Sequence, residues 1–238
     1  MVAVGANALS ASQSLDVGDA MDAGGSLVTA AGSTVSIAAG GSIIFTGSDE
    51  TLGGMLVNAG VLETKGSTVV IASLKHGSGG TVVINGGTLD FLSVLDQAVT
   101  FNGATGTLEL AQSNSAPVDI AGFKANGQQS LDLGDVAFIG ADEAKFSGTK
   151  EGGVLTVSDG THTAAFDLSG NYLGDVFTAA SDGHGGTVVT ATAPMPSPHA
   201  FAATMAAMGE GGAGPVRASI DAPRGVGLFL ASPRLHAA

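Results

Sequence analysis

Cysteine is absent from the chain, which excludes disulfides and thiolate metal sites and leaves the redox compartment open. Tryptophan is also absent and tyrosine occurs once, at Tyr172, so the flat aromatic platforms that stack on sugar rings are scarce. Charge is sparse, at 12% of residues, and unbalanced: 21 acidic against 8 basic residues give a formal net charge of −13. Up to residue 193 there is no arginine, and the lysines (Lys65, Lys75, Lys124, Lys145 and Lys150) are well spread. A phosphate-binding surface needs clustered cations that displace counterions, so nucleic acid is not an expected partner. No run of about 18 apolar residues occurs, and membrane insertion is not expected. Met1–Ala6 carries neither the basic n-region nor the long apolar h-region of a cleavable signal. If the chain is exported, its address is expected at the C-terminus, or the chain is a piece of a longer one.

Catalytic and cofactor motifs are equally sparse. There is no GxSxG elbow, no GxxxxGK[ST] loop and no strand-linked GxGxxG. His76, His162 and His184 show no HxH or HExxH spacing and read as ordinary loop or surface residues. Ser, Thr and Gly are plentiful, but the 38 glycines read as turns and not as phosphate cradles.

What the chain does contain is a repeated unit. Gly79–Phe91, GGTVVINGGTLDF, writes it twice: a Gly pair, a Thr, then apolar, intervening and apolar residues. Relatives follow from Gly24 to Leu110 as Val35-Ser36-Ile37, Ile43-Ile44-Phe45, the degenerate Leu56-Val57-Asn58, Val69-Val70-Ile71, Val99-Thr100-Phe101 and Leu108-Glu109-Leu110. Side chains alternate along a strand, so the outer two residues of each triplet face one side and the middle residue the other. The gaps between triplets are too short for a crossover helix. An antiparallel meander and a parallel β-solenoid both remain, and the Gly-Gly corners favour the solenoid, with four or five coils of about 20 residues each.

The phase continues through Val118-Asp119-Ile120 and Leu131-Asp132-Leu133. It then gives way to two hairpins: Gly153–Val157 with Thr161–Leu168 around Asp159-Gly160, and Val176–Ala180 with Thr187–Thr192 around Asp182–Gly186. The expected organisation is therefore all-β: a lead-in or incomplete first coil over 1–23, a solenoid over 24–138, a small antiparallel β cap over 139–193, and a Pro/Ala/Gly-rich tail over 194–238. Within that tail HAFAATMAAM, His199–Met208, could form a short amphipathic helix.

The run GSTVVIASLKHGSGGTVVINGGTLDF, the following VTFNGATGTLEL and VDIAGFKANGQQSLDLGDVAF, and the closing hairpins with TVSDGTHTA and SDGHGG together resemble the C-terminal repeat region of alphaproteobacterial autotransporter-like or RTX-adhesin-like secreted β-helix proteins. The resemblance covers roughly residues 24–193. It implies a right-handed parallel β-helix displayed on or released from a Gram-negative cell, exported by type I secretion with an uncleaved C-terminal signal in the tail. The calcium-binding nonapeptide GGxGxDxUx of such proteins has no intact copy here, and Asp182–Thr187 is only a fragment-like echo of it.

Two sets of acidic residues are candidate sites. Asp90, Glu109, Asp119 and Asp132 occupy middle positions of their triplets and would form a ladder of carboxylates about 5 Å apart on stacked coils, a spacing suited to a retaining glycosidase or a metal ion. The blander alternative is a solvated acidic face. Asp159 and Asp182 sit in Asp-Gly turns, where a local turn role competes with binding of Ca²⁺ as a cofactor. The expected function is non-enzymatic: a secreted or cell-surface β-solenoid acting in adhesion, matrix or surface structure, with an extracellular matrix or cell-surface component as partner and self-association through the solenoid ends. The alternatives are an extracellular polysaccharide-acting enzyme that uses paired carboxylates, and a calcium-dependent exported module.

Overall fold

The apolar triplets can form a core only if their outer residues all point inward, and in the computed structural model they do. The structure describes residues 14–24, 27–113 and 118–194, with the backbone of two short strands, Val2–Ala3 and Asn7–Leu9. The chain divides into two units, Met1–Pro194 and Met195–Ala238. Every described residue belongs to the first, so the expected His199–Met208 helix and the export signal lie outside the described residues.

From Glu50–Asn58 to Asn126–Leu133, strands adjacent in sequence alternate between two sheets. One sheet stacks Val2–Ala3, Ala20–Ala23, Ser42–Phe45, Val61–Thr64, Thr81–Ile84, Ala98–Phe101 and Val118–Ala121. The other stacks Asn7–Leu9, Leu27–Thr29, Glu50–Asn58, Thr68–Leu74, Thr88–Phe91, Gly106–Leu110 and Asn126–Leu133. Ser14–Val17 and Thr34–Ile37 form a short row that joins the second half of Glu50–Asn58. Within these stacks the pairing is parallel throughout. A meander would pair antiparallel, so the chain is a β-solenoid, of about six turns.

Parallel register turns each inward position into a column. Met21, Ile43, Leu62, Val82, Val99 and Ile120 succeed one another up the first sheet. Leu52, Ile71, Phe91, Leu110 and Leu133 do so in the second. All are buried, and each such side chain contributes roughly 1.5–3 kcal/mol by leaving water. The columns begin before Gly24: Val17, Met21 and Ala23 are buried rungs. Residues 14–23 thus already belong to the stacked coils, because alternation there places Val17, Met21 and Ala23 inward.

The solenoid ends by changing strand direction. Thr163–Ser169 stacks parallel on Val118–Ala121 and then pairs antiparallel with Gly152–Ser158, which pairs with Ala144–Gly148. On the other sheet Thr187–Thr192 runs antiparallel to Asn126–Leu133 and pairs with Val176–Ser181. Each hairpin therefore extends one sheet. Tyr172 ties them to the last coil, its buried hydroxyl donating to the Phe123 carbonyl at 2.8 Å.

Corners are where the coils meet most closely. The inward Asn58 is fully buried. Its Nδ2 donates to Gln97 Oε1 at 2.8 Å and to the Thr81 carbonyl at 3.1 Å, while its Oδ1 accepts from the Gly60 N–H at 3.2 Å. Gln97 returns a bond from Nε2 to the Asn58 carbonyl at 2.8 Å. The clasp reaches across the coil that carries Gly80, and a Cβ on Gly80 would lie 2.5 Å from the Asn58 carbonyl oxygen and 2.6 Å from its amide. Gly80 is thus a glycine for lack of space. We expect Gly80→Ala to cost about 1–3 kcal/mol of unfolding free energy through forced displacement of the clasp. Gly18→Ala, where a Cβ meets nothing within 4 Å, should change it by less than about 0.5 kcal/mol. Urea melts of the two variants check this, and equal losses would refute the assignment.

Candidate functional site

Outward positions form columns by the same register. On the second sheet Asp90 is aligned with Glu109, and Glu109 with Asp132, so three carboxylates stand one coil apart, about 4.8 Å. Beside them runs a column of hydroxyls: Thr68, Thr88, Thr107, Ser130, Thr190 and Thr178. Thr107 Oγ1 and Ser130 Oγ share a hydrogen bond of 2.9 Å. The hydroxyl column was legible in the sequence as the Thr or Ser that precedes each triplet, but the Gly-Thr and Gly-Ser pairs read as corners and hid it.

Asp119 does not join this ladder. It lies on the first sheet, where it is aligned with Asp167 of the cap. The reason is connectivity: consecutive triplets alternate between sheets, so Val118–Ile120 falls on the sheet opposite Leu108–Leu110 and Leu131–Leu133.

Like charges one coil apart disfavour full ionisation. Asp90 is half-buried, and burial first, then the neighbouring Glu109, raises its pKa to about 6. Asp132 is raised to about 6 by burial and then by Glu109, with Asp182 and Asp90 adding to the rise and His184 opposing it. Asp90 Oδ1 is buried without a hydrogen-bond partner among the described residues, consistent with a carboxyl that holds its proton unusually well.

The turn aspartates are the opposite case. Asp159 accepts from the N–H groups of Thr161 (2.7 Å), His162 (2.5 Å) and Ala137 (3.1 Å), and its Oδ2 lies 3.0 Å from His162 Nδ1. Those bonds, led by His162, hold its carboxyl far below the usual range. In Asp182 burial pushes the pKa up, but N–H donation from His184 at 2.6 Å and Gly186 at 2.9 Å, with Gly185, carries it below normal. Both candidate calcium ligands thus serve as acceptors within their turns, and Asp159 also ties its hairpin to the end of the last coil. Among the described residues no three acidic or histidine side chains are grouped to hold a metal ion.

Two further carboxylates were not singled out from the sequence. Glu50 accepts from the Leu27 N–H at 2.5 Å and from Ser48 Oγ at 2.8 Å, and Glu143 accepts from Thr187 Oγ1 at 2.9 Å and the Ile139 N–H at 3.1 Å. Both are buried and tie the backbone at places where the strand pattern breaks. His76 is exposed, with Nδ1 2.6 Å from Asp96 Oδ2, which also accepts from the Gly77 N–H at 2.7 Å.

The carboxylate ladder lies on an open sheet face. Among the described residues, one surface depression is lined by Ala144–Phe146, Gly148 and Tyr172–Phe177, another by Leu15, Val17 and Met21 with their neighbours, and another by Ile139–Glu143 with Lys145 and Ser158. None includes Asp90, Glu109 or Asp132. Comparison with family models, with curated proteins and with solved structures finds no match to this chain.

The two sets of aspartates bracket a window of acid stability. Asp90 and Asp132 hold protons to about pH 6 when folded but release them near 3.8 when unfolded, so the folded state gains stability as pH falls through about 6 and loses it as pH rises. Asp159 and Asp182, whose values are depressed, contribute stability above the unfolded value and lose it as pH falls further. Melting temperature should therefore be higher at about pH 5 than at about pH 7.5. The double variant Asp90→Asn with Asp132→Asn should flatten that difference, and an unchanged slope would refute the ladder as its source.

Proposed function

We propose that this chain is a non-enzymatic β-solenoid of the extracellular space or cell surface, acting in adhesion, matrix or surface structure through the outer face of its second sheet. The observation that carries this reading is the pair of columns on that face. Hydroxyls from six successive strands and carboxylates from three of them stand in register at the coil repeat. Such an array offers a long polymer many equivalent acceptors and donors along one line, so that weak contacts add along the polymer. The face is open, as adhesion to an extended glycan or matrix strand requires, whereas the desolvated enclosure that strengthens catalytic electrostatics is lacking there.

A specific observation favours a second reading. Asp90, with its raised pKa, sits one coil from Glu109, and a protonated acid beside a carboxylate about 5 Å away is the arrangement of a retaining polysaccharide hydrolase.

One screen tests both readings. The full chain is incubated with immobilised extracellular polysaccharides and cell-surface material, and retention and released reducing ends are measured. Adhesion predicts retention without turnover, weakened at least about tenfold by Thr88→Val with Thr107→Val or by Asp90→Asn with Glu109→Gln. Turnover abolished by Asp90→Asn or Glu109→Gln would overturn it in favour of the enzyme. Retention unaffected by either pair would remove this face from the account.

A further inference from the structure

Ala144–Gly148 is the last strand of one sheet and Val176–Ser181 the last of the other. Among the described residues neither has a strand on its outer side, although the turn Ala141–Glu143 packs against Val176–Ser181. An exposed strand edge is a template for pairing, and proteins that stay monomeric blunt it with charges, bulges or a covering segment. Here Ala144–Gly148 carries one charge, Lys145, and Val176–Ser181 carries none.

Side chains of the two last strands meet in an aromatic cluster. Phe146 stacks on Phe177 with ring centres 5.6 Å apart, and Tyr172 packs edge-on against Phe146 at 5.5 Å. An open groove of about 420 Å³ lies along them. Leu173 and Val176, which line it, are 51% and 52% exposed, and side chains of this kind leave the surface at interfaces.

The groove's charge identifies the occupant. Lys145 and Asp175 are the only charged residues that line it, and neither is in an ion pair with another described residue. A basic partner would satisfy Asp175 but face Lys145, and an acidic one would do the reverse. A surface with one unpaired charge of each sign is complementary to itself, as a two-fold contact requires, since residue i meets j and j meets i.

We propose that this groove is a docking surface for a second copy of the chain, related by a two-fold axis that sets Lys145 of one protomer against Asp175 of its partner, twice, and lays Leu173 and Val176 into the facing groove. Edge backbone groups pair across the same axis. The contact does not rest on the proposed adhesion, although its edge strand also carries Thr178 of the hydroxyl column.

Sedimentation equilibrium of the full chain without any glycan, over a concentration series into the micromolar range, tests the proposal. A reversible dimer is expected. Val176→Lys, Lys145→Glu and Asp175→Lys should each weaken it at least about tenfold, while Lys145→Glu combined with Asp175→Lys restores it; far-ultraviolet circular dichroism confirms that each variant keeps its strand content. A monomer at every concentration would overturn the proposal. So would a dimer indifferent to all three substitutions, or a double variant no tighter than the single ones. Hydrogen-exchange protection of the outer amides of Val176–Ser181 in a monomeric sample would assign the groove to another occupant and equally overturn it.

Discussion

The parallel hydrogen-bonded stack sets one repeat, about 4.8 Å per coil, and the other features of this molecule depend on it. Because each residue sits above its counterpart in the previous coil, a choice made at one position is repeated through the structure. Inward, the repeat places like beside like without cost, since Leu62 on Val82 and Phe91 on Leu110 are favourable contacts. Outward, the same rule stacks Asp90, Glu109 and Asp132, where like beside like is unfavourable unless a proton is shared. Burial first, and then this stacking beside Glu109, raises the carboxyl values of Asp90 and Asp132.

Corners are the second place where the repeat acts. A coil of this size turns within a few residues, and the backbone of one corner lies against the next, so that a side chain in one coil takes space from its neighbour. Asn58 illustrates this. An inward amide in an apolar column is costly unless every donor and acceptor is met, and it is met by Gln97 two coils away. The intervening coil must then give up its side chain, and Gly80 is the result. One polar residue thereby determines two other positions, one by hydrogen bonding and one by exclusion.

This explains what could be read from the chain alone. Val69-Val70-Ile71 and Leu89-Asp90-Phe91 carry their inside and outside in their alternation, so strand, core and solenoid were legible, as were both Asp-Gly hairpins. Which triplets share a sheet was less accessible, because that depends on how many strands make one coil; the four acidic middle positions look alike, yet Asp119 falls on the opposite sheet from the other three. Leu56-Val57-Asn58 read as degenerate because its amide partner is distant in sequence. Ala144–Gly148 gave no strand signal: with Phe146 as its single large apolar residue, it is held by pairing with Gly152–Ser158 and not by its own pattern.

Termination is the remaining problem for any stack of this kind, since a parallel coil always leaves an edge with the same spacing and polarity as the one it just satisfied. Reversing strand direction in the cap breaks the supply of equivalent edges, because a new parallel coil of the same chain cannot add to Ala144–Gly148 or Val176–Ser181 in the register of those below. Reversal does not remove the unpaired backbone groups. It leaves them on edge strands that, like any edge strand, can pair antiparallel with a two-fold-related copy. A cap of this design therefore ends growth along the solenoid axis while leaving one end suited to pairing with its own kind, and the aromatic trio Phe146, Tyr172 and Phe177 stands where such pairing would remove apolar surface from water.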